Sequence, residues 1–402
     1  MPDNTPVYDT RGTDTSDLRA AGPDGLPGHP AVPATLSLAT LPIDLLLATF
    51  ALLEPADLRQ LRLASKELCA WASASVRALR PAAGADLPRR FPALQALDLC
   101  GVEEWEEAAS ACLEPLAHAS ALTALKLGRR NPLTPAGAAA VAALTGLRSL
   151  ELLESPLSDA ALLRWTSLTA LTSLSLRDCA RLSDAGLAAA AGALLELQAV
   201  ELGPCAGGVG VGDATLRVLG SLPALRRVDL TACDGFTPAG LEALAAAGAL
   251  RTLLLPACWH LGDAALSAVA AAMPRLECLG LFEAGEGVTD AGLLALTRLT
   301  RLTALDLGYS CWSHTAGGLA ALLRGLPALR MLNLAGAEGV CDATLEAAAQ
   351  SLTRLTRLDA SECQRVTLAG VRHLATLPEL VELTLVSLSS RTAHGYLLRR
   401  LI

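Results

Sequence analysis

The chain has 402 residues, of which 52% are hydrophobic and only 3% aromatic, so any core must be mainly aliphatic. Its formal net charge of −8 argues against a nucleic-acid-binding protein that relies on a basic field. The N-terminus has no apolar signal-peptide core, and no run of 18 or more residues is apolar enough to span a membrane. We therefore expect a cytoplasmic and/or nuclear protein without a membrane partner.

Residues 1–34 are rich in Pro, Gly, Asp and Thr, a composition that predicts a disordered tail. Residues 35–80 are predicted to form a small helical unit. Its two stripes at helical spacing are Leu45, Leu46, Thr49, Phe50 and Leu53, and then Leu58, Leu61, Ser65 and Leu68. A helical unit of about 40 residues rarely buries enough apolar surface to be stable alone. We expect it to dock onto the following region, onto another protein, or onto both.

The pattern LxxLxL, with three conservative departures, then occurs twelve times. The copies begin at Leu94, Leu122, Leu147, Leu171, Leu197, Leu225, Leu250, Leu276, Leu302, Leu329, Leu355 and Leu380. The fourth position moves from residue 97 to residue 383 in eleven steps, a mean period of 26 residues. The LxL alternation predicts a short strand in each copy.

Helix-start signals follow these strands, as in LSDAGL at 182–187 and VTDAGL at 288–293. Ser183 and Thr289 are predicted N-caps, and the helix dipole favours an Asp in the first turn. A single strand–helix unit cannot bury its leucines, whereas stacked units share one continuous core. The sequence therefore predicts an α/β solenoid over residues 81–402.

These copies resemble leucine-rich repeats of the cysteine-containing type. That resemblance implies a right-handed solenoid of about twelve repeats, with a parallel sheet on the concave face and helices on the convex face. The cysteine that follows the strand in this type corresponds to Cys179, Cys205, Cys233, Cys258 and Cys363. Stacked cysteines about 5 Å apart also raise the alternative of zinc, but structural zinc usually takes four ligands in local pairs. We expect buried loop thiols and no metal or cofactor.

The helical unit resembles an F-box. The matching residues are Leu41, Pro42, Leu45, Leu46, Phe50, Leu53, Asp57, Leu58, Leu61, Arg62, Leu63, Ser65 and Lys66. Thr49, Ala64 and Leu68 stand where the F-box pattern usually has Ile, Val and Trp. The alternative is that residues 41–71 are only an N-terminal cap of the solenoid, which needs one.

The F-box resemblance implies a substrate-recognition subunit of an SCF-type ubiquitin ligase. It would dock on a Skp-type adaptor, and through it on cullin and RING subunits, while the repeats hold a protein target. The adaptor-binding residues would be Leu41, Pro42, Leu45, Leu46, Phe50, Leu53, Leu58, Leu61 and Leu63. No nucleophile signature accompanies the six scattered histidines, and the glycine-rich stretch 203–213 lacks nucleotide-loop phasing, so we do not expect an enzyme. The alternative function is a repeat scaffold that binds a partner without recruiting a ligase.

Residues between the last two leucines of each motif should face outward from the sheet. Six of these twelve are acidic, among them Glu201, Asp229 and Asp306, and one is basic. Such a row could attract a basic target segment. The alternative is an ordinary solvated sheet face that Arg227 and Arg357 balance locally.

Apolar residues are predicted on the same outward face at Leu254, Phe282 and Met331. Five of the chain's twelve aromatic residues also lie in or just after strands six to nine of the repeats: Phe236, Trp259, Phe282, Tyr309 and Trp312. Exposed aromatic residues flanked by charge are frequent interface anchors. The target-binding prediction therefore comprises Leu254, Trp259, Phe282, Tyr309, Trp312 and Met331 with the three acidic residues. The alternative is that these rings pack inside loops between repeats.

Overall fold

The computed structural model describes residues 78–79, 93–100, 113–128, 133–155, 157–179, 181–204, 210–285, 287–310, 313–386 and 396–399. The predicted tail, all nine predicted adaptor-binding residues between Leu41 and Leu63, and Trp312 lie outside the described residues. Within the described ranges, no helix has the length and apolar character needed to cross a membrane.

The strands form one sheet in which every strand pairs with its neighbours in chain order. They are β1 (Ala78–Leu79), β2 (Ala96–Asp98), β3 (Ala124–Leu127), β4 (Ser149–Leu153), β5 (Ser173–Arg177), β6 (Ala199–Leu202), β7 (Arg227–Asp229), β8 (Thr252–Leu254), β9 (Cys278–Gly280), β10 (Ala304–Asp306), β11 (Met331–Asn333), β12 (Arg357–Asp359), β13 (Glu382–Leu385) and β14 (Tyr396–Arg399). Each LxxLxL motif supplies one of the strands β2–β13. Strands β1–β13 are parallel, and β14 closes the order antiparallel to β13. The predicted repeat strands are confirmed.

Helices follow most of the strands. They are α1 (Pro135–Ala142), α2 (Asp159–Leu162), α3 (Asp184–Ala191), α4 (Asp213–Gly220), α5 (Pro238–Leu244), α6 (Asp263–Ala272), α7 (Asp290–Leu296), α8 (Ala316–Gly325), α9 (Asp342–Ser351) and α10 (Leu368–Leu374). The described early repeats also contain two 3₁₀ helices. Glu114–His118 stands where later repeats have an α-helix, and Leu163–Ser167 directly extends α2. The described part of residues 81–402 is thus an α/β repeat solenoid, as the sequence predicts.

The core is a ladder of leucines between the sheet and the helices. In the sixth motif, for example, Leu225, Val228 and Leu230 are completely buried, and the helix residue Leu241 meets them from the other side. Burying one such side chain contributes roughly 1.5–3 kcal/mol. Because strands β2–β13 are only three to five residues long, the repeats are stable only as a stack.

A second interaction joins consecutive helices through side chains. In five cases an Asp at the first residue of one helix accepts two hydrogen bonds from the N-cap residue of the next helix. One carboxylate oxygen accepts the N–H and the other accepts the hydroxyl, at 2.5–2.9 Å. We call these pairs the aspartate clamps: Asp159–Ser183, Asp213–Thr237, Asp263–Thr289, Asp290–Thr315 and Asp342–Thr367.

The clamps add to the predicted N-caps. Ser183 and Thr289 do cap their own helices, since the Ser183 hydroxyl accepts the N–H of Gly186 and the Thr289 hydroxyl accepts that of Ala291. The sequence prediction explained the Asp by the helix dipole alone, which was incomplete. The threonine hydrogen bonds hold the pKa of Asp290 and Asp342 below its ordinary value, so both carboxylates remain ionised at neutral pH.

Each clamp is accompanied by a glycine, which lies three residues after the N-cap residue of the second helix. The five are Gly186, Gly240, Gly292, Gly318 and Gly370. A Cβ atom at any of them would overlap the clamp carboxylate of the preceding repeat. The recurring glycine is therefore required by the close approach of the Asp side chain.

Asp184 shows a variation of the same contact. The next helix begins after Gly212, which has no hydroxyl to donate, and the Asp184 carboxylate instead accepts the N–H groups of Gly212, Ala214 and Thr215 at 2.8–3.1 Å. The position that is glycine in the five clamps is here Thr215, and the glycine has moved to the capping position. The carboxylate thus satisfies helix N-terminal donors in both arrangements.

We expect Gly292→Ala and Asp263→Ala each to destabilise the protein by about 1–3 kcal/mol, because the first displaces the carboxylate and the second removes its three hydrogen bonds. In the double variant, the Gly292→Ala change should add almost nothing, since the group with which it collides is gone. Urea denaturation of the four proteins checks this. Gly248→Ala is the control, because a Cβ there meets nothing within 4 Å. Additive losses would contradict the clamp account.

Candidate target-binding surface

The outer sheet face is the face of the sheet turned away from the leucine core. It carries the third and fifth residues of each motif. Strand register aligns the fifth residues into one row, because Asp229 pairs with Leu254, Leu254 with Gly280, and Gly280 with Asp306. We call this the central row. Its complete membership is Asp98, Lys126, Glu151, Ser175, Glu201, Asp229, Leu254, Gly280, Asp306, Asn333, Asp359 and Thr384.

Basic side chains neutralise the N-terminal part of the central row. Lys126 forms an ion pair with Glu151 at 2.5 Å. Arg177 contacts Glu201 at 3.1 Å and Asp229 at 3.7 Å, and Arg227 contacts the same two carboxylates at 3.7 Å. Of the predicted target-binding acids, Glu201 and Asp229 thus lie in an internal charge network, and Asp229 is buried. For this part of the row the structure favours the alternative of local balance.

A hollow of about 430 Å³ opens on the outer sheet face between β8 and β13. Its apolar walls are Leu254, Phe282 and Met331. Gly280 and Ala304 form part of its floor, and a Cβ at Gly280 would come within 2.8 Å of the Leu254 side chain. The hollow therefore exists because the central row lacks a side chain at its eighth place. Met331 is 43% exposed although it is a large apolar residue, as the sequence predicts.

Asp306 and Asp359 line the same hollow. Each accepts a main-chain N–H two residues further on, from Gly308 at 3.0 Å and from Ser361 at 2.9 Å. In the part of the chain that the structure describes, neither carboxylate lies within ion-pair distance of a Lys or Arg, because Arg357 pairs with Glu382 at 3.3 Å. Burial raises the pKa of Asp306, and the nearby charge of Asp359 acts in the same direction.

The predicted aromatic residues divide into two groups. Phe236 is 2% exposed and packs edge-on against His260, with ring centroids 4.7 Å apart, so it belongs to the loop core, as the packing alternative has it. Trp259 is 54% exposed. Phe282 and Tyr309 make an edge contact at 5.4 Å beside the hollow. The structure thus brings Phe282 and Tyr309 together with Leu254, Met331 and Asp306, and it leaves Trp259 on a neighbouring loop.

Tyr309 occupies a recurring left-handed position, with a φ of 54°. Its N–H donates to the carbonyl of Ala335 in the next repeat, and the corresponding N–H of Glu283 donates to Gly308. A non-glycine residue seldom adopts this backbone conformation, and the inter-repeat hydrogen bond helps to hold it. The Tyr309 side chain leaves the loop at this turn, and its ring contacts Phe282.

Four of the predicted cysteines after the strands, Cys179, Cys233, Cys258 and Cys363, are buried loop thiols, as predicted, and Cys205 lies outside the described residues. Cys258 and Cys363 donate to the carbonyl oxygens of Leu230 and Leu334 in the preceding repeat, both at 3.2 Å. Ser310 replaces the cysteine in its repeat and donates to Leu281 at 2.8 Å. Burial raises the pKa of Cys258 to about 12, so its thiol stays protonated. Within the described ranges, no three His, Cys, Asp or Glu side chains are grouped to hold a metal ion.

Sequence reasoning missed three features of this surface. Gly280 carried no signal on its own, although it opens the hollow. Cys278 lines the hollow from the outer sheet face and is not one of the loop cysteines. Arg177 forms ion pairs with two acids although it lies two residues after the fifth residue of its motif. It could have been found only by comparing the motifs over two more residues.

No family model matches the sequence, and no curated protein matches it. Among solved structures, an internalin (inlF) from Listeria monocytogenes str. 4b F2365 aligns with a TM-score of 0.51 at 22% identity, over 86% of this chain and 92% of the other. A chain of the yeast Rad7 and Elc1 complex aligns with a TM-score of 0.54 at 16% identity, over 82% and 90%. Similarity at these identities shows the fold alone. Together with the repeat geometry, it defines an α/β leucine-rich-repeat solenoid.

We expect Phe236→Ala and Trp259→Ala to differ sharply in their effect on stability. Truncating the buried Phe236 should lower the free energy of unfolding by about 3–5 kcal/mol, because it leaves a cavity. Truncating the exposed Trp259 should change it by less than about 1 kcal/mol. Parallel urea denaturation curves provide the measurement. Similar losses in both variants would show that Trp259 also packs within the repeats.

Proposed function

We propose that this chain is the substrate-recognition subunit of an SCF-type ubiquitin ligase that works in the cytoplasm and/or nucleus. Residues 41–66 dock on a Skp-type adaptor, and the solenoid holds a protein target on its outer sheet face. The observation that carries the proposal is the hollow between β8 and β13, an apolar surface beside two carboxylates that the described chain leaves without a cation.

The hollow supports target capture because its apolar walls are accessible, as in the centre of a protein interface before the partner binds. Leu254, Phe282 and Met331 present apolar surface, and protein interfaces concentrate their binding energy in such pockets. The surrounding sheet is continuous, since strands β8–β12 each have parallel partners on both sides and the leucine ladder packs beneath them. A target would meet a preformed surface, which lowers the entropy cost of binding.

The adaptor-binding part of the proposal is supported by sequence. Leu41 and Pro42 begin the F-box-like stretch, a leucine-rich stretch leads to Phe50, and Ser65 and Lys66 end it. A cap for the solenoid would not require this beginning or this end. Among proteins of similar fold, the yeast Rad7 and Elc1 complex contains a chain that assembles with another protein.

Such a receptor makes and breaks no bonds itself. It holds a target close to the ubiquitin-charged enzyme of the ligase, so that transfer to a target lysine becomes effectively intramolecular. The gain depends on the effective concentration that the two binding sites impose, and both sites must be occupied at once. The solenoid's contribution is therefore to hold the target while residues 41–66 hold the adaptor.

A second candidate function is a repeat scaffold that recruits no ligase, with the N-terminal helices serving as a cap. It is favoured by one observation: the hollow and its charges lie in β8–β13 and require nothing from residues 41–66. The two functions differ in whether the full chain binds a Skp-type adaptor.

We expect the full-length chain to retain purified Skp-type adaptor in a pulldown, and a Leu45→Ala, Leu46→Ala, Phe50→Ala variant to lose at least tenfold in affinity. Loss of three apolar anchors from one helical face removes most of the contact energy of such an interface. The matched control truncates three exposed leucines of the solenoid, Leu195, Leu294 and Leu368, and should bind normally. Absence of adaptor binding by the folded full-length chain would establish the scaffold function instead.

A further inference from the structure

We propose that the hollow recognises an extended target segment in which an apolar side chain and an arginine lie three residues apart. The apolar side chain lies over Gly280, and the guanidinium lies between Asp306 and Asp359. This inference rests on the proposed capture of a protein target, and it specifies the chemistry of the segment that is captured.

The apolar half of the site is shaped by what surrounds Gly280. Leu254 stands on the neighbouring strand β8, Phe282 follows β9, and Met331 stands two strands further along on β11. Gly280 and Ala304 leave the space between these three side chains empty. A volume of about 430 Å³ accepts a leucine or methionine side chain and a few backbone atoms. A polar side chain would find few hydrogen-bonding partners on these walls.

The charged half of the site calls for a cation. The charged residues that line the hollow are Asp306, Asp359, Glu382 and Arg357, which leaves a net charge of −2. Glu382 is satisfied by Arg357. Asp306 and Asp359 flank Asn333 in the central row, and the partly buried pair repel one another. A planar guanidinium over Asn333 would reach toward both carboxylates, which the compact ammonium of lysine does less well.

The opposite end of the central row provides an internal comparison. There, Arg177 and Arg227 lie across Glu201 and Asp229, which is the arrangement that we infer for the target's arginine. At β10–β13, Arg357 stands beside Asp359 as Arg227 stands beside Asp229, but Arg357 pairs with Glu382. Asp306 and Asp359 therefore have no Lys or Arg within ion-pair distance in the described chain. This difference confines the recognition surface to the C-terminal half of the described sheet.

Strand spacing sets the separation of the two groups. Gly280 lies on β9 and Asn333 on β11, which places them about 10 Å apart at a strand separation of roughly 4.8 Å. A polyproline-II segment rises about 3.1 Å per residue and returns to the same face after three residues, or about 9 Å. The segment therefore crosses the strands, with its apolar residue and its arginine at positions i and i+3.

Selection from a phage library of linear 12-residue peptides tests this inference on the full-length chain. The recovered peptides should contain Leu, Ile or Met with an arginine three residues away. The affinity of the best synthetic peptide should fall at least tenfold with Asp306→Asn plus Asp359→Asn. A rise from 0.1 M to 1 M salt should also weaken binding, because the screening length falls from about 10 to 3 Å. Gly280→Leu, which fills the hollow, should abolish binding.

Two matched variants serve as controls. Glu242→Gln plus Glu346→Gln removes the same charge from exposed helix positions, and Gly248→Leu adds the same side chain where space is open. Both should bind the peptide as the original chain does. Peptides that bind the Asp306→Asn plus Asp359→Asn or Gly280→Leu protein unchanged would overturn this inference while leaving target capture in place. A selection that recovers no peptide would overturn both, and the adaptor pulldown would still report on residues 41–66 separately.

Discussion

One contact recurs at six of the eight helix junctions between α2 and α10, the hydrogen bonding of a helix-initial aspartate to the N-terminus of the next helix. The leucine ladder supplies most of the stabilising free energy, but apolar contacts are not directional and tolerate sliding. The clamp is directional, since both carboxylate oxygens have a fixed donor, as in Asp263 with Thr289. The clamps therefore fix the offset between the helices that they join, and the strands that precede these helices keep the same register.

That register determines the chemistry of the outer sheet face. Because corresponding residues are aligned strand after strand, charges 24 to 28 residues apart in sequence become neighbours, as Arg177 and Glu201 do. The same alignment places Asp306, Asn333 and Asp359 side by side and leaves Gly280 beside Leu254. One half of the outer sheet face is thus ion-paired, and the other half is open. The two halves have the same backbone geometry and differ only in their side chains.

The period of the leucines was enough to predict every repeat strand and the central row, because burial imposes a strict spacing on each motif. The N-caps Ser183 and Thr289 were also predictable, since capping is local. The clamps were not, because Asp263 acts on a residue 26 positions away and looks like a dipole-favoured acid in its own helix. The hollow at Gly280 was missed for a related reason, and the sequence left open whether Phe236 is buried or exposed. Both depend on the shape of adjacent repeats and not on the residue alone.

We propose that adaptor binding and target binding occupy separate parts of the chain. Hydrogen–deuterium exchange of the full-length chain, with and without the Skp-type adaptor, tests this most directly. We expect slower exchange in residues 41–66 and unchanged exchange in β9–β12 when the adaptor is added. Slower exchange confined to β9–β12, or no change in residues 41–66 despite binding, would contradict it.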